Sequence, residues 1–123
     1  MVRCLIVDDS PVFAASARRL LARQGISVVG VAATGEEAVR RAAELRPDVV
    51  LVDIDLGRES GLEVAGRLNR PNDLGTRIIL ISSHAEEDYR DLIAASPAVG
   101  FLAKDVLSAE AIHEMLADAP PHG

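Results

Sequence analysis

Short apolar runs and amphipathic stretches alternate five times along this chain. Cys4-Leu5-Ile6-Val7 is the first run, too short for a helix and closed by Asp8-Asp9. Ser10 and Pro11 then supply an N-cap and a first helical residue. Phe13, Ala17, Leu20 and Leu21 give that helix an inward face, Arg18, Arg19 and Arg23 an outward one, and Gly25 a C-cap. Ile26 to Ala33 reads as the second strand. Thr34 and Glu37 have the spacing of a capping box, opening a helix with Ala38, Ala42 and Leu45 inward until Pro47 bars it. Val49 to Val52 are mostly β-branched and read as a strand buried on both faces, ending at Asp53, with Ile54 to Gly57 leading into a loop. Ser60 and Glu63 repeat the capping-box spacing before a helix lined by Leu62, Ala65 and Leu68.

Pro71 to Gly75 is a loop of breakers. Arg77 to Ser82 carries the fourth strand, and a short fourth helix has Tyr89, Leu92 and Ile93 as its apolar side. Val99 to Ala103 is the fifth strand, with Lys104-Asp105 as its exit. Leu107 and Ile112 staple a last helix behind the Ser108 cap, with Ile112, Met115 and Leu116 as its face. Five βα units predict an α/β fold: a doubly wound parallel sheet of five strands between two helical layers, in the order 2-1-3-4-5. Residues 1–118 form the expected domain, and 119–123 a tail or linker stub.

Composition narrows the function classes. The chain has 123 residues, 49% of them hydrophobic, enough for one core. A net charge of −6 and the absence of a basic stripe argue against nucleic acid or an anionic membrane as a partner of this chain. Asp8 and Asp9 interrupt the first apolar run before it could be a signal peptide, and no stretch approaches the roughly 18 apolar residues of a membrane span. Cys4, the lone cysteine, reads as a small core residue, so the expected location is cytoplasmic. His113 and His122 lack zinc spacing and read as surface residues.

Candidate chemistry follows from the strand order. Ligands of open α/β sheets bind at the carboxyl ends of the strands. Strands 1 and 3 are neighbours in this order, so Asp8, Asp9 and Asp53 converge there. Singly each is ordinary: an Asp after a strand begins a turn, Lys104 is a solvated lysine, Ser82 a helix cap. Jointly they set polar groups after strands 1, 3, 4 and 5. Three close carboxylates repel unless a cation joins them, and hard oxygen donors without His or Cys point to Mg²⁺.

This ordered set resembles the receiver domain of two-component response regulators. The resemblance covers residues 3 to about 118. It is carried by Leu5-Ile6-Val7-Asp8-Asp9-Ser10-Pro11, the Asp53 strand with Ser60-Gly61-Leu62-Glu63-Val64, Ile79-Leu80-Ile81-Ser82 and Gly100-Phe101-Leu102-Ala103-Lys104. It implies a phosphoacceptor, not an enzyme acting on other substrates: Asp53 takes a phosphoryl group from the phosphohistidine of a partner kinase or phosphotransfer protein. Asp9, Asp53 and the backbone carbonyl of Asp55 would hold Mg²⁺, with Asp8 acting through water. Lys104 would offset charge on the phosphoryl oxygens. Ser82 would move to bond the phosphoryl group, with Phe101 turning inward behind it. The readout would be the face of the fourth helix, fifth strand and fifth helix, including Tyr89, Leu102, Val106 and the neighbours of Ile112, and a homodimer would form through that face or another.

Several residues depart from the family pattern. Gly57 stands where many receivers have proline, which would loosen the loop, and Ser83 where alanine is preferred. Phe101 replaces the usual tyrosine. Asp105 replaces a proline usually preceded by a cis bond; because a cis bond without proline costs about 2.5–4 kcal/mol, a trans Lys104–Asp105 bond is expected, with Lys104 aimed differently. Asp55 and His84 occupy positions that flank the path of hydrolytic water, so substitutions there should alter phosphoryl lifetime.

Two other readings use the same residues. Asp53-Ile54-Asp55 looks like the D-x-D of haloacid-dehalogenase-type phosphatases, whose nucleophile sits on the first core strand of a larger chain. A receiver-like interaction module that signals without phosphorylation is the second. The Lys104-Asp105 exit is similar to receivers joined to LuxR-type helix-turn-helix domains, which implies transcription control by a longer protein; a stand-alone receiver is the other option.

Overall fold

The computed structural model describes residues 1–69, 76–83 and 89–118. In chain order the elements are β1 (Arg3–Val7), α1 (Pro11–Arg23), β2 (Ser27–Ala32), α2 (Gly35–Leu45), β3 (Val49–Asp53), β4 (Asp55–Leu56), β5 (Glu59–Ser60), α3 (Gly61–Asn69), β6 (Arg77–Ser82), α4 (Arg90–Ala94), β7 (Gly100–Ala103) and α5 (Ala109–Asp118). The main sheet is parallel, ordered β2-β1-β3-β6-β7. Since β4 and β5 form a separate small hairpin, this is the expected 2-1-3-4-5 order. The Pro71–Gly75 loop, His84 and the 119–123 tail lie outside the described residues.

Strand periodicity sorts the side chains into two cores. Cys4, Ile6, Val49, Leu51, Ile79 and Ile81 pack under α1 and α5, against Ala14, Ala17, Leu21 and Ile112. Leu5, Val7, Val50, Val52, Ile78 and Leu80 face the other way, against Ala38 and Ala42 of α2 and Val64, Ala65 and Leu68 of α3. Every residue of β3 is buried, as its unbroken apolar run requires. The Cys4 thiol lies wholly inside, and burial pushes its pKa up to about 12.

Local sequence chemistry sets the helix ends. Ser10 Oγ accepts from Phe13 N at 3.3 Å, and Thr34 Oγ1 from Glu37 N at 3.1 Å. The Glu37 carboxylate reaches back to Ala33 N at 2.8 Å, one residue beyond the expected cap. Arg46 closes α2 in the left-handed region at φ 48° before Pro47.

Three expectations need correction. The segment after Asp53 is a tight antiparallel hairpin, pairing Asp55 with Ser60 and Leu56 with Glu59, rather than a loose loop. Gly57 turns it at φ 58°, which proline, fixed near −65°, cannot adopt. α3 starts at Gly61, directly after Ser60 as the expected cap position requires, and the missing Cβ of Gly61 lets it approach the Asp53 carbonyl. Leu92 is 54% exposed, because Tyr89 and Ile93, four residues apart, take the inward positions of the α4 segment. Leu102 is only 7% exposed and packs under α5, since alternation along β7 turns it away from solvent; Val106 is the exposed apolar residue there.

Candidate functional site

The sheet register brings the site together. Val7 pairs with Val52, so Asp8 emerges beside Asp53; Asp53 pairs with Ile81, and Ser82 with Ala103, just before Lys104. All four strands end at one edge, where a carboxylate is held by sheet backbone yet borders solvent.

Each carboxylate is fixed by its own turn. Asp8, 2% exposed, accepts from Ser10 N through Oδ1 at 2.8 Å. Asp53, 5% exposed, accepts from Asp55 N through Oδ1 at 3.0 Å. Their other oxygens meet one cation: Lys104 Nζ lies 2.8 Å from Asp8 Oδ2 and 3.0 Å from Asp53 Oδ2. No peptide bond among the described residues is cis, and Lys104 to Val106 form a short 3₁₀ turn that sends the side chain into the hollow. The Phe13 ring lies under the ammonium, 4.4 Å from Nζ to the ring centroid, a cation–π contact. Asp9 is exposed and completes the group. Asp8, Asp9 and Asp53 each offer an oxygen within 4.8 Å of the others.

Burial raises the Asp53 pKa above its ordinary value; the Lys104 bond and charge and the Asp55 N–H oppose this, and the Asp8 charge adds to it. Burial pulls Lys104 downward, but its bonds to Asp8 and Asp53 outweigh that and leave it raised, so it stays protonated. The hollow therefore holds a confined carboxylate, a fixed positive charge and an all-oxygen donor set suited to a hard divalent cation.

The remaining candidates border this centre. Asp55 is exposed; its N–H faces Asp53, while its carboxylate accepts from Tyr89 Oη at 3.2 Å. Ser82 is fully buried at the end of β6. Phe101 lies in the core on the α2–α3 side. Phe13 reads in sequence only as an inward-facing apolar position, and Tyr89 as an apolar position of the fourth helix and a member of the implied readout face. Their polar partners lie on other elements and leave no local signal. Gly57 borders the site as well: a Cβ there would sit 3.0 Å from Asp9 Oδ2.

The description of the response regulator receiver domain family matches residues 4–117. The chain belongs to this family. Receiver domains of two-component systems work with histidine kinases or phosphotransfer proteins, so this one is a signalling domain. It is 33% identical over 113 residues to the response regulator GacA of Pseudomonas viridiflava, covering 91% of this chain and 52% of that protein. The chain thus spans about half the length of such curated relatives. The signal receiver domain of NarL from Mycobacterium tuberculosis superposes with a TM-score of 0.80 at 34% identity, covering 94% of each chain. A response regulator from Burkholderia pseudomallei, solved with a phosphorylated aspartic acid, a calcium ion and citrate, has a TM-score of 0.78 and 30% identity, covering 94% of this receiver and 66% of that chain.

Proposed function

We propose that this receiver accepts a phosphoryl group on Asp53 from the phosphohistidine of a sensor kinase or phosphotransfer protein and thereby switches an output. The observation that carries this reading is the meeting of Asp53 with Asp8, Asp9 and Lys104 at one sheet edge. An Asp53 carboxylate oxygen attacks phosphorus, the P–N bond to the donor imidazole breaks, and an acyl phosphate remains. Charge collects on the equatorial oxygens as this happens, so positioning and cations supply most of the catalysis. Lys104, whose Nζ lies 3.0 Å from Asp53 Oδ2, would neutralise one such oxygen.

The three clustered carboxylates fit Mg²⁺, with Asp9, Asp53 and the Asp55 carbonyl as its protein ligands and Asp8 acting through water. When bound, the ion would supply a Lewis acid that screens both the carboxylates and the incoming phosphoryl oxygens. Ser82 would then bond the modified group; Phe101 already lies in the core, so the expected inward turn of its ring has no exposed position to start from. Reversing a strongly off-biased equilibrium takes about 5.5 kcal/mol. Two new charge-assisted bonds of roughly 1.5–3 kcal/mol each come near that.

Residues 1–118 would act as the receiver unit, in the cytoplasm, with α4, β7 and α5 as readout or homodimer surface. A transcription output through a LuxR-type DNA-binding domain is the longer-protein reading, supported by the likeness to a LuxR-family response regulator from Aurantimonas sp. SI85-9A1 and to the DNA-binding transcriptional activator EvgA of Escherichia coli. Mass spectrometry after acetyl phosphate and Mg²⁺ tests the core claim. One phosphoryl adduct, absent in Asp53→Asn, is expected. An unmodified parent protein would leave the phosphorylation-independent interaction module as the better reading.

A further inference from the structure

Tyr89 is the only tyrosine of a chain without tryptophan. Its hydroxyl donates to Asp55 Oδ2 at 3.2 Å, and Asp55 N donates to Asp53 Oδ1 at 3.0 Å. The Tyr89 ring packs on the core that contains Phe101, and Ile93 N donates to the Tyr89 carbonyl at 2.9 Å as α4 begins. One residue thus touches the loop after Asp53, the core and the start of a helix.

We propose that Tyr89 is a positioning residue that ties the Asp53 loop to α4, so that a change of charge at Asp53 reaches α4 through Asp55 and Tyr89 rather than through Phe101. This rests on Asp53 being the phosphoacceptor. Phe101 is buried and carries no polar atom, so no hydrogen bond at its tip can distinguish two positions of its ring. A phenol can make that distinction, because its apolar body and polar tip answer to different neighbours. A phosphoryl group on Asp53 adds negative charge one short link from the Asp55 carboxylate, and like charges repel. The Asp55 side chain must then turn away or lean harder on its donor, and either response alters the Tyr89 bond. No residue of α4 is buried, so little packing resists its movement.

The sole tyrosine makes this measurable. A carboxylate acceptor quenches phenol emission, so the fluorescence of the whole chain reports the Tyr89–Asp55 bond. Mg²⁺ and beryllofluoride, a phosphoryl mimic, would be titrated in while ¹⁹F NMR follows binding. In the parent protein the tyrosine emission should change with the same midpoint as the bound fluorine signal. Asp55→Ala, which keeps the backbone carbonyl, should start from brighter emission, and its emission should stay flat up to the concentration at which its own fluorine signal saturates. Asp53→Asn should lose both signals. Bound beryllofluoride with unchanged tyrosine emission in the parent overturns the role of Tyr89. An Asp55→Ala response equal to the parent's overturns the route through Asp55. Absence of fluorine binding in the parent overturns the phosphoacceptor reading, and this proposal with it.

Discussion

Burying the Asp53 carboxylate carries a cost to the fold. Its folded pKa is raised from an ordinary 3.8, with burial the largest cause. For a raised carboxylate, the associated stability is fully present below the unfolded value and is lost as pH rises through the folded one. At neutral pH the ionised group therefore weighs against the native state. Asp53→Asn keeps the shape and removes the charge, so in EDTA at pH 7 it should melt at a higher temperature than the parent, and the gain should shrink as pH falls toward 4. An Asn variant that melts lower at pH 7 would show that the Lys104 pair matters more than burial. Lys104 has a second support in the Phe13 ring. Cation–π contacts are worth about 0.5–2 kcal/mol, so Phe13→Leu should slow phosphorylation by acetyl phosphate by roughly twofold to thirtyfold. In a Lys104→Ala background the same substitution should have no further effect on that rate. A rate equal to the parent's would remove Phe13 from the site.

Among the elements, the β4–β5 hairpin matters most for the chemistry. Its turn places Gly57 at φ 58° with the α-hydrogen that a side chain would replace directed toward Asp9. Gly57→Ala meets two obstacles: a left-handed backbone costing an L-residue roughly 1–2 kcal/mol, and a Cβ 3.0 Å from Asp9 Oδ2. Moving Asp9 disturbs the donor set more than the sheet. Mg²⁺ affinity measured by calorimetry should accordingly fall by severalfold, alongside a modest drop in the urea midpoint. Unchanged affinity would mean that Asp9 is not a ligand. Nothing in Asp55-Leu56 or Glu59-Ser60 announces strands, because two residues cannot display a period of two. The five long runs could be read for the opposite reason: β-branched stretches between capped amphipathic helices allow few other arrangements. Leu102 shows a further limit. Its run marks a strand, but a strand's sequence does not say which of its two faces a helix will cover.

At the scale of the whole molecule, the acidic hollow exists only when β1 and β3 lie side by side. A cation that binds there binds the native state alone. At a hundred times its dissociation constant it should stabilise the fold by about 2.7 kcal/mol, raising the melting temperature by roughly 10 °C in a chain of this size. Asp53→Asn should lose much of that gain. A melting curve indifferent to millimolar Mg²⁺ would argue that Lys104 alone neutralises the carboxylates. The placement of Asp8, Asp9, Asp53, Ser82 and Lys104 along one sheet edge was legible beforehand because each ends or follows a strand, and the βα repeat dictates which strand ends share an edge. The contacts of Phe13 and Tyr89 were not. Helical spacing says that such residues turn inward, but not what they will touch there.

The amino-acid pattern by itself determined the strand order and the edge at which the acidic residues gather, since hydrophobic periodicity and right-handed crossovers act on local stretches of chain. Only the tertiary structure decided that one ammonium bridges two carboxylates over an aromatic ring, and that a phenol reaches across to the loop after Asp53. Those contacts depend on where side chains from separate elements end after packing, which no single stretch of sequence encodes.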